Sequence, residues 1–327
     1  MKKIISDYFN ILKTNSFDKE MYFYKYPRLD EYQPYSVHIK YQYDEKRVYN
    51  AWGNGLSQDE AFGKSFMELI ERYIFLSFTP FNYQSVYGIL KKRLSLFDIA
   101  NTYRIDIKYL HPANSNGVAI HSSLQKAIQS ALYELLERHC ILYAILDKIS
   151  PSKKVQLKVT KEIQCDFYIW DGPLKSYVVV GALKKENGWY FSSSCSFSFK
   201  DAINRAKLEI NSFISLNDSF KDGIDFKISK DDIDSFNRYH RYSGDERIIE
   251  FLNSNLRGKI PDLKKKDFFY TKIPQPKLFH GLFDFPCVRV INPFVQQLFF
   301  DNWEISYLNP ILFDKNIVLP EFPHIIA

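Results

Sequence analysis

The sequence predicts an α+β fold. Stretches with the two-residue alternation of strands and stretches with helical periodicity follow one another without the regular strand–helix–strand order of an α/β protein. Apolar residues make up 46% of the 327 residues, charged residues 25% and aromatic residues 17%. This composition is typical of a folded globular protein. Since no Gly-, Ser- or Pro-rich stretch divides the chain, we expect a single domain over residues 1–327.

A strand is predicted within residues 36–52, because apolar and polar residues alternate there. The alternating positions are Val37, Ile39, Tyr41 and Tyr43. We expect the Gly53-Asn54-Gly55 segment to form the turn after this strand. Ser57 is a favourable N-cap and Glu60 has the spacing of a capping box, so a helix is expected from there to about Ser77.

The second long helix is predicted over about 123–146, after a turn at Ser115-Asn116-Gly117. Downstream, two β-rich stretches at 176–185 and 189–196 are joined by Glu186-Asn187-Gly188. Because Asn-Gly readily adopts the positive φ angles of a tight turn, we predict an antiparallel hairpin here.

The C-terminal half is predicted to contain a third helix and little further regular structure. The helix should span about 200–216, and we interpret the charged, weakly periodic residues 218–272 as an irregular insertion. A short strand is predicted at 287–291. The proline-containing tail, residues 319–327, is expected to be extended because proline does not continue a helix.

Charge and cysteine content argue against several function classes. The net charge of +6 is spread along the chain, and the tight basic run Lys264-Lys265-Lys266 is short, so no nucleic-acid footprint is indicated. The four cysteines lack the spacing of a zinc site or a disulfide framework. Neither a signal-peptide segment nor an apolar run of about 18 residues stands out. We therefore expect a cytoplasmic protein with reduced thiols that binds neither nucleic acid nor membrane.

The most informative feature is a repeated block, A-x6-E-x2-E-R, which occurs in both of the first two predicted helices. The first copy comprises Ala61, Glu68, Glu71 and Arg72. The second copy comprises Ala127, Glu134, Glu137 and Arg138. At about 100° per residue, the members of each copy share one helix face with Lys64, Ser65 and Ser130. Apolar residues cover the opposite face of each helix.

Two such helices side by side would present four carboxylates and two guanidinium groups to one cavity. Oxygen ligands of this kind suit Mg²⁺, which commonly binds a few carboxylates together with nucleotide phosphates. Arginine suits phosphate oxygens. The residue pattern leaves two interpretations: intrahelical surface ion pairs, which are usual for a single E-x-x-E-R motif, and an ATP·Mg²⁺ site, which the repetition favours.

The residues around both blocks resemble the signatures of the YcaO family. Residues 53–73 are similar to the first signature and residues 115–138 to the second. Residues 288–293 resemble the family's late strand, and residues 320–324 its proline-rich C-terminus. The resemblance implies the YcaO fold, in which mixed sheets pack with helices and the two E-x-x-E-R helices line a central cleft for ATP and Mg²⁺.

By this resemblance, the magnesium ions that bridge the ATP phosphates would be held by Glu68, Glu71, Glu134 and Glu137. Arg72 and Arg138 would contact phosphate or brace the carboxylates, and Arg289 is a further candidate. The other residues expected at the nucleotide are Lys64, Ser65, Ser122, Lys126 and Ser130. No other catalytic residue is assigned, because phosphoryl transfer depends mainly on positioning and charge neutralisation.

The resemblance also implies an activity, the ATP-dependent activation of a peptide backbone amide by phosphorylation. If a Cys, Ser or Thr side chain of the peptide is the nucleophile, the product is an azoline ring, as in bacteriocin-type natural products, and this is the product we expect. External sulfide would give a thioamide and a terminal amine an amidine. We expect a peptide substrate and a partner protein that binds its leader segment, with a homodimer as a further option.

Several residues differ from the family pattern. Lys64 replaces a usual Ser, Asn54 a common Lys, Lys126 a frequent Glu and Ser122 a frequent Asn. In the third helix, the family's E-x-x-Q-x-R is represented by Glu209, Ser212 and Ile214. These changes motivate an alternative, a non-catalytic YcaO-like scaffold with weakened nucleotide binding.

Overall fold

The structure is a computed structural model that describes residues 19–25, 35–42, 48–77, 86–88, 93–106, 116–159, 163–185, 188–221, 246–273, 285–296, 306, 308–313 and 316–320. This part of the chain contains twelve strands and five α-helices. The mixture confirms the α+β class.

The strands are β1 (Lys19–Lys25), β2 (Tyr35–Gln42), β3 (Val48–Gly55), β4 (Val86–Gly88), β5 (Arg93–Leu94), β6 (Val118–Ile120), β7 (Lys153–Lys158), β8 (Gln164–Asp171), β9 (Tyr177–Lys185), β10 (Gly188–Ser196), β11 (Phe269–Ile273) and β12 (Cys287–Ile291). The helices are α1 (Gln58–Ser77), α2 (Leu96–Tyr103), α3 (Leu124–Leu146), α4 (Phe199–Lys221) and α5 (Glu246–Leu252). The strands form three sheets with the orders β1-β2-β3, β10-β9-β8-β7 and β5-β4-β11-β12-β6. Every pairing in them is antiparallel.

Helix α3 lies at the centre of the largest apolar cluster. The cluster joins Leu135 and Ile141 of α3 to Trp170 and Val180 of the four-stranded sheet and to Val290 of the five-stranded sheet. All five side chains are almost completely buried. Because α3 packs between two sheets, its few polar side chains are held in fixed positions by the surrounding core.

Helix α4 covers the opposite face of the four-stranded sheet. Its Ala202, Ala206 and Ile210 pack with Phe167 and Val179 in a second apolar cluster. The small side chains of Ala202 and Ala206 let the helix backbone approach the sheet closely. Both faces of this sheet are therefore covered by helices, and α3 and α4 lie on opposite sides of it.

The Gly53-Asn54-Gly55 segment is not the turn that the sequence predicted. It lies at the end of β3, which pairs with β2 along its whole length. A Cβ atom on Gly53 would lie 2.0 Å from the carbonyl oxygen of Ala61, and one on Gly55 would lie 2.6 Å from the nitrogen of Ala61. The glycines therefore allow α1 to pack directly against β3. Local sequence does not separate this use of glycine from its use in a turn.

The prediction of an irregular insertion over 218–272 is also wrong for the residues described there. Helix α4 continues to Lys221, and α5 buries Ile248 and Leu252 in the central core. Strand β11 lies between β4 and β12 in the five-stranded sheet. The pairing partners of β11 are distant in the chain, so its local sequence carried little signal. The charged Lys264-Lys265-Lys266 run is exposed next to buried core residues.

The strand predicted within residues 36–52 is two antiparallel strands, β2 and β3. The other predicted elements are confirmed with small shifts. Helix α1 ends at Ser77, α3 begins after the N-cap Ser123, and α4 starts at Phe199 rather than 200 but is longer than predicted. In the hairpin, Gly188 pairs with Lys185, so residues 186–187, which lie outside the described residues, connect the strands. Strand β12 has the predicted bounds.

Some predictions fall on residues that the structure does not describe. These are Tyr43, Ser115 (the first residue of the predicted Ser115-Asn116-Gly117 turn) and the tail beyond Pro320. Residues 317–320 contain no helix or strand. All four cysteines are free and buried. Among the described helices, none combines the length and the apolar character that a membrane span requires.

Candidate functional site

The first E-x-x-E-R helix is fixed by its contact with β3. Ser57 accepts a hydrogen bond from the Glu60 backbone N–H (3.2 Å), and the Glu60 carboxylate accepts one from the Leu56 N–H (3.0 Å). The capping box thus forms, with Leu56 rather than Ser57 as the backbone donor. Ser65 is completely buried and donates to the Ala51 carbonyl (2.9 Å). These contacts set the rotation of α1 about its axis.

Glu71 of α1 connects the two repeated blocks. Burial raises the pKa of Glu71 well above its usual value, and the nearby carboxylates of Glu134 and Glu68 raise it further. Arg72 and Arg138 act in the opposite direction. Since Glu134 and Arg138 belong to α3, the charged faces of the two helices lie close enough to interact electrostatically.

Glu134, which corresponds to Glu68 in the repeated block, acts on Glu71 from α3. Burial raises its pKa to about 7, against the opposing effects of Arg138 and Arg289, while Glu137 and Glu68 raise it. Arg138 forms an ion pair with Glu134 and donates a hydrogen bond to Oδ1 of Asn116 (3.3 Å). The side chains of Arg138 and Glu134 are only 14% and 25% exposed, so this pair is well shielded from water.

On α1, the equivalent ion pair joins Arg72 to Glu68 at 2.6 Å. Its arginine side chain is 48% exposed, so solvent screens the pair more strongly than the pair on α3. The block on α1 is therefore the outer part of the site and the block on α3 the inner part.

Glu137 contacts the four-stranded sheet. Its Oε1 accepts a hydrogen bond from the Ser193 hydroxyl of β10 (2.6 Å). Burial raises the pKa of Glu137, whereas this hydrogen bond and the guanidinium groups of Arg138 and Arg205 lower it. Glu137 is thus tied to β10 and, through Arg205, to α4.

Glu209 of α4 adds a fifth carboxylate. Burial raises its pKa to about 8 and Glu137 raises it too, while a hydrogen bond to the Ser193 backbone and the charges of Lys64 and Arg205 lower it. Its surface is accessible to water, although protein atoms surround it. Glu209 therefore lies on the solvent-facing side of these carboxylates.

Five carboxylates from three helices thus form one electrostatically connected group, which we call the acidic cluster: Glu68, Glu71, Glu134, Glu137 and Glu209. The cations that act on it are Lys64, Arg72, Arg138, Arg205 and Arg289. Arg289 is almost fully buried on β12, at the inner side of the cluster. The mutual effect of the carboxylates is that each disfavours ionisation of its neighbours.

Sequence reasoning missed several members of this arrangement. Arg205 and Glu209 lie one turn apart on α4, and the Arg205 guanidinium also stacks 5.2 Å from the ring of Tyr133. The remnant of the family's third motif at Glu209 was the available signal for this helix. Ser193 and Asn116 carried no motif, because their role depends on contacts between elements.

Two of the remaining predicted residues, Lys64 and Ser65, lie on α1. Lys64 forms an ion pair with Glu60 (2.7 Å), donates to the Asn54 carbonyl (2.9 Å) and lowers the pKa of Glu209, so it lies at the edge of the acidic cluster. Ser65, which was also predicted to contact the nucleotide, is buried, and its hydroxyl donates to the Ala51 carbonyl.

Three predicted residues lie on or just before the first two turns of α3. Ser122 and Lys126 are exposed, and Ser130 is half-buried. At 1.5 Å per residue, Lys126 lies about 12 Å along the axis from Glu134, and Ser130 about 6 Å. The Ser122 backbone N–H donates to Nδ1 of His121 (2.8 Å). This group is therefore separated from the acidic cluster by one to three helical turns.

The histidine that follows Arg138 has a structural role. His139 is fully buried, and its Nδ1 accepts a hydrogen bond from the Gln296 backbone N–H (3.0 Å). Burial lowers the pKa of His139 to about 3. The ring is therefore neutral at physiological pH and holds the segment after β12 against α3.

The donor set of the acidic cluster fits ATP and Mg²⁺. It offers carboxylate oxygens, which Mg²⁺ prefers, with guanidinium and ammonium groups suited to phosphate at its edge. Within the described part of the chain, no three His, Cys, Asp or Glu side chains are close enough to form a metal cage on their own. Mg²⁺ usually binds one or two carboxylates together with water and nucleotide phosphates, so the cluster matches a site to which a nucleotide contributes ligands.

A protein-family model described as YcaO cyclodehydratase, ATP- and Mg²⁺-binding, matches residues 99–270. The matched stretch is more than half of the chain and includes α3, β7 to β10, α4 and α5, and it ends within β11. It contains Glu134, Glu137 and Glu209 of the acidic cluster. No curated protein has significant similarity to the chain.

Three solved structures have a similar fold. The YcaO of Methanopyrus kandleri, bound with AMPPCP and Mg²⁺, is 13% identical with a TM-score of 0.58, and the match covers 90% of each chain. The E. coli microcin synthetase McbBCD complex with pro-MccB17 bound is 14% identical (TM-score 0.53), over 84% of this chain and 88% of that chain. A heterocyclase in complex with substrate and cofactor is 11% identical (TM-score 0.54), over 90% of this chain and 52% of that longer one. At these identities the likeness is one of fold.

Proposed function

Since the chain belongs to the YcaO family, we propose that it uses ATP and Mg²⁺ to activate a backbone amide of a peptide by phosphorylation. The observation that carries the proposal is the coupling of Glu71 on α1 with Glu134 on α3. The two E-x-x-E-R motifs therefore hold carboxylates near enough to influence each other's ionisation. A shared group of carboxylates with raised pKa values is what a divalent cation would stabilise in the ionised state.

We assign metal binding to the acidic cluster, with Glu68 and Glu71 on one wall and Glu134 and Glu137 on the other. Arg72 and Arg138 would orient phosphate oxygens, and the buried Arg289 would hold Glu134 in its ionised form, as its effect on the pKa of Glu134 supports. Glu209 extends the assignment to α4. Bound ATP would supply the phosphoryl group that makes the amide oxygen a leaving group, with Mg²⁺ neutralising the phosphate charge.

The product that we propose is an azoline ring, formed when a Cys, Ser or Thr side chain of the peptide attacks the preceding carbonyl carbon. Ring closure then requires loss of the phosphorylated oxygen. Thioamide or amidine formation uses the same activation with an external nucleophile. The E. coli relative is a complex with a bound pro-peptide, and by analogy we propose that this chain acts on a ribosomal peptide together with a partner protein, in the cytoplasm.

A second candidate function is a scaffold with weak nucleotide binding. It is motivated by Lys64, which is held by Glu60 and the Asn54 carbonyl. While the Lys64 ammonium makes both contacts, it is less able to reach a phosphate. The two candidates differ in one measurable property, the Mg²⁺-dependent affinity for ATP.

Isothermal titration calorimetry with ATP and MgCl2 tests the proposal. We expect binding by the native protein and its loss in Glu71→Gln and Glu137→Gln. Asp59→Asn on the same helix as Glu71 is the matched control, because Asp59 is exposed in the first turn of α1 and lies outside the acidic cluster, and it should bind normally. Circular dichroism of each variant checks that the fold is retained. Normal ATP binding by both Gln variants would refute the site, and absent binding by the native protein, with and without a partner, would favour the scaffold.

Mass spectrometry of a candidate peptide distinguishes the products. Azoline formation removes one water molecule, whereas replacement of an amide oxygen by sulfur increases the mass. An unchanged mass with the native protein under conditions in which ATP is hydrolysed would contradict both forms of the proposed chemistry.

A further inference from the structure

A groove lies at the edge of the four-stranded sheet, away from the acidic cluster. It has a volume of about 310 Å³ and lies between β7 and the first turns of α4. Its lining, which defines the β7–α4 groove, comprises Lys153, Val155, Leu157, Phe199, Lys200, Ile203 and Asn204. The surface of the groove is mostly apolar, with a lysine from each side at its rim.

The floor of the groove is a continuation of the sheet core. Val155, Leu157 and Phe199 pack at the margin of the apolar cluster that joins the sheet to α4, and they are only half-buried. Phe199 is fixed by an edge-on contact with Tyr177, with 5.6 Å between ring centroids. The groove is therefore held by packed side chains on two regular elements, which makes it a preformed surface.

Strand β7 is an edge strand. In the described part of the chain it pairs with β8 alone, so the outer side of its backbone has N–H and C=O groups available for a further strand. Its side chains alternate, with Lys153, Val155 and Leu157 on the groove side. An edge strand beside an apolar groove is the arrangement with which many domains bind an extended peptide.

The charge at the rim selects the kind of peptide. Lys153 and Lys200 are both exposed, and the Lys153 ammonium lies 5.1 Å from the centroid of the Phe199 ring. Neither lysine forms a salt bridge with a described residue. A strand with apolar side chains over Val155 and Leu157 and carboxylates near the lysines would match this surface in both shape and charge.

We propose that the β7–α4 groove binds an extended acidic segment of the peptide substrate, outside the amide that reacts, as an added strand along β7. This proposal rests on the proposed function, because the occupant is the substrate of that function. Helix α4 supports the link between the two sites, since it carries both groove residues and Glu209. Lys200 and Arg205 project about 140° apart on α4, so the groove and the acidic cluster lie on different flanks of one helix.

The distance between the sites is short for an extended chain. Ile203 and Glu209 are six residues apart, which is about 9 Å along the helix axis. Roughly ten extended residues span about 33 Å, enough to pass from the groove around α4 to the acidic cluster. A substrate anchored in the groove would therefore have a raised effective concentration of its reacting amide at the site.

The test uses a fluorescein-labelled eight-residue peptide, Glu-Thr-Val-Thr-Val-Thr-Glu-Thr, and fluorescence anisotropy in the absence of ATP. Its glutamates and valines alternate with threonine, so they share the face of the added strand that lies over the groove. We expect the native protein to bind it and the Lys153→Glu/Lys200→Glu variant to bind about tenfold more weakly, because two attractions become repulsions. Lys264→Glu/Lys266→Glu makes the same change of charge at exposed sites outside the groove and should leave the affinity unchanged. Equal weakening by both double variants, or no binding by the native protein, would overturn the proposal.

Backbone methylation separates an added strand from other binding modes. In a strand along β7, alternate amides face the edge, so N-methylation of one alternate set should abolish binding and methylation of the other set should be tolerated. Equal effects of the two sets would contradict strand addition. Light scattering tests whether a second copy of the chain occupies the groove instead. A dimer that dissociates in the Lys153→Glu/Lys200→Glu variant would show that a second copy covers β7 and would overturn the proposal.

Calorimetry on the same variants separates this proposal from the proposed function. Lys153→Glu/Lys200→Glu should bind ATP and Mg²⁺ normally, and Glu71→Gln should lose ATP while it still binds the peptide. ATP binding without peptide binding would refute the groove proposal alone. Peptide binding by a native protein that binds no ATP would refute the assignment of the segment to a substrate.

Discussion

Ser193 on β10 donates a 2.6 Å hydrogen bond from its hydroxyl to Oε1 of Glu137 on α3. The backbone of the same residue hydrogen-bonds to the carboxylate of Glu209 on α4. One residue of the sheet therefore holds two carboxylates from the helices on its two sides. Both hydrogen bonds favour the ionised form of the carboxylates, whereas burial disfavours it. The ionised form is the one that binds a cation.

Ser193→Ala should weaken Mg²⁺-dependent ATP binding about tenfold near pH 7. Loss of the hydroxyl removes a hydrogen bond to a charged group, typically about 1.5–3 kcal/mol, and raises the pKa of Glu137 further. The defect should narrow as the pH is raised to about 8.5, because a higher pH favours the ionised form of Glu137. Calorimetry at the two pH values measures the difference in ATP affinity between the variant and the native protein. Ser194→Ala is the control, since the Ser194 hydroxyl donates to the Ala202 carbonyl instead, and an equal loss in both variants would argue against the role of Ser193.

The stability of the protein without ligand should fall as the pH rises from about 6.5 to 8. Glu134, with a pKa of about 7, and Glu209, with a pKa of about 8, retain protons in the folded state that the unfolded chain has already lost above its pKa near 4.5. The folded state therefore binds more protons, and the free energy of unfolding decreases with pH. For Glu134 the decrease is on the order of 1 kcal/mol. His139, with a pKa of about 3, has the opposite effect only below about pH 6.5.

Urea unfolding at several pH values measures this dependence. Glu134→Gln has no titratable group at this position. Its free energy of unfolding should therefore decrease less steeply with pH than that of the native protein. Added ATP and MgCl2 should oppose the decrease at pH 8. A free energy of unfolding that rises from pH 6.5 to 8 would contradict the raised pKa values.

Arg205→Ala should lower the affinity for ATP and Mg²⁺ about tenfold near pH 7. The Arg205 guanidinium lowers the pKa of both Glu137 and Glu209, so its removal favours their protonated forms. Arg205→Lys keeps the charge but loses the planar contact with Tyr133, and a smaller effect is expected. Lys207→Ala removes a charge from the same helix and serves as the control. If Arg205→Ala and Lys207→Ala have the same affinity, the local role of Arg205 is refuted.

Gly53→Ala should destabilise the fold by about 3 kcal/mol. The new Cβ would lie 2.0 Å from the Ala61 carbonyl oxygen and 2.2 Å from the Ser65 nitrogen, so α1 would have to move away from β3. Thermal unfolding by circular dichroism measures the loss. Gln58→Ala in the exposed first turn of α1 is the control and should change the stability little. An unchanged melting temperature for Gly53→Ala would show that α1 does not depend on this close approach.

The boundaries of α1 and α3 were predictable because their signals are local. The capping residues Ser57 and Ser123, and the apolar faces of both helices, are properties of neighbouring residues. The E-x-x-E-R blocks also indicated which helix faces carry charge. In contrast, they did not indicate that Ser65 on the same helix face is covered by another element, here β3.

The sequence by itself determined the α+β class, the two long helices and the repeated carboxylate pattern, since these depend on periodicity and on side chains within a few residues of each other. The tertiary structure decided which glycines permit close packing, where β11 lies, and that Ser193, Arg205 and Glu209 join the acidic cluster. The physical reason is that burial and charge coupling depend on distances in space. Residues such as Glu137 and Ser193 are 56 positions apart in the chain, and no local pattern reports their contact.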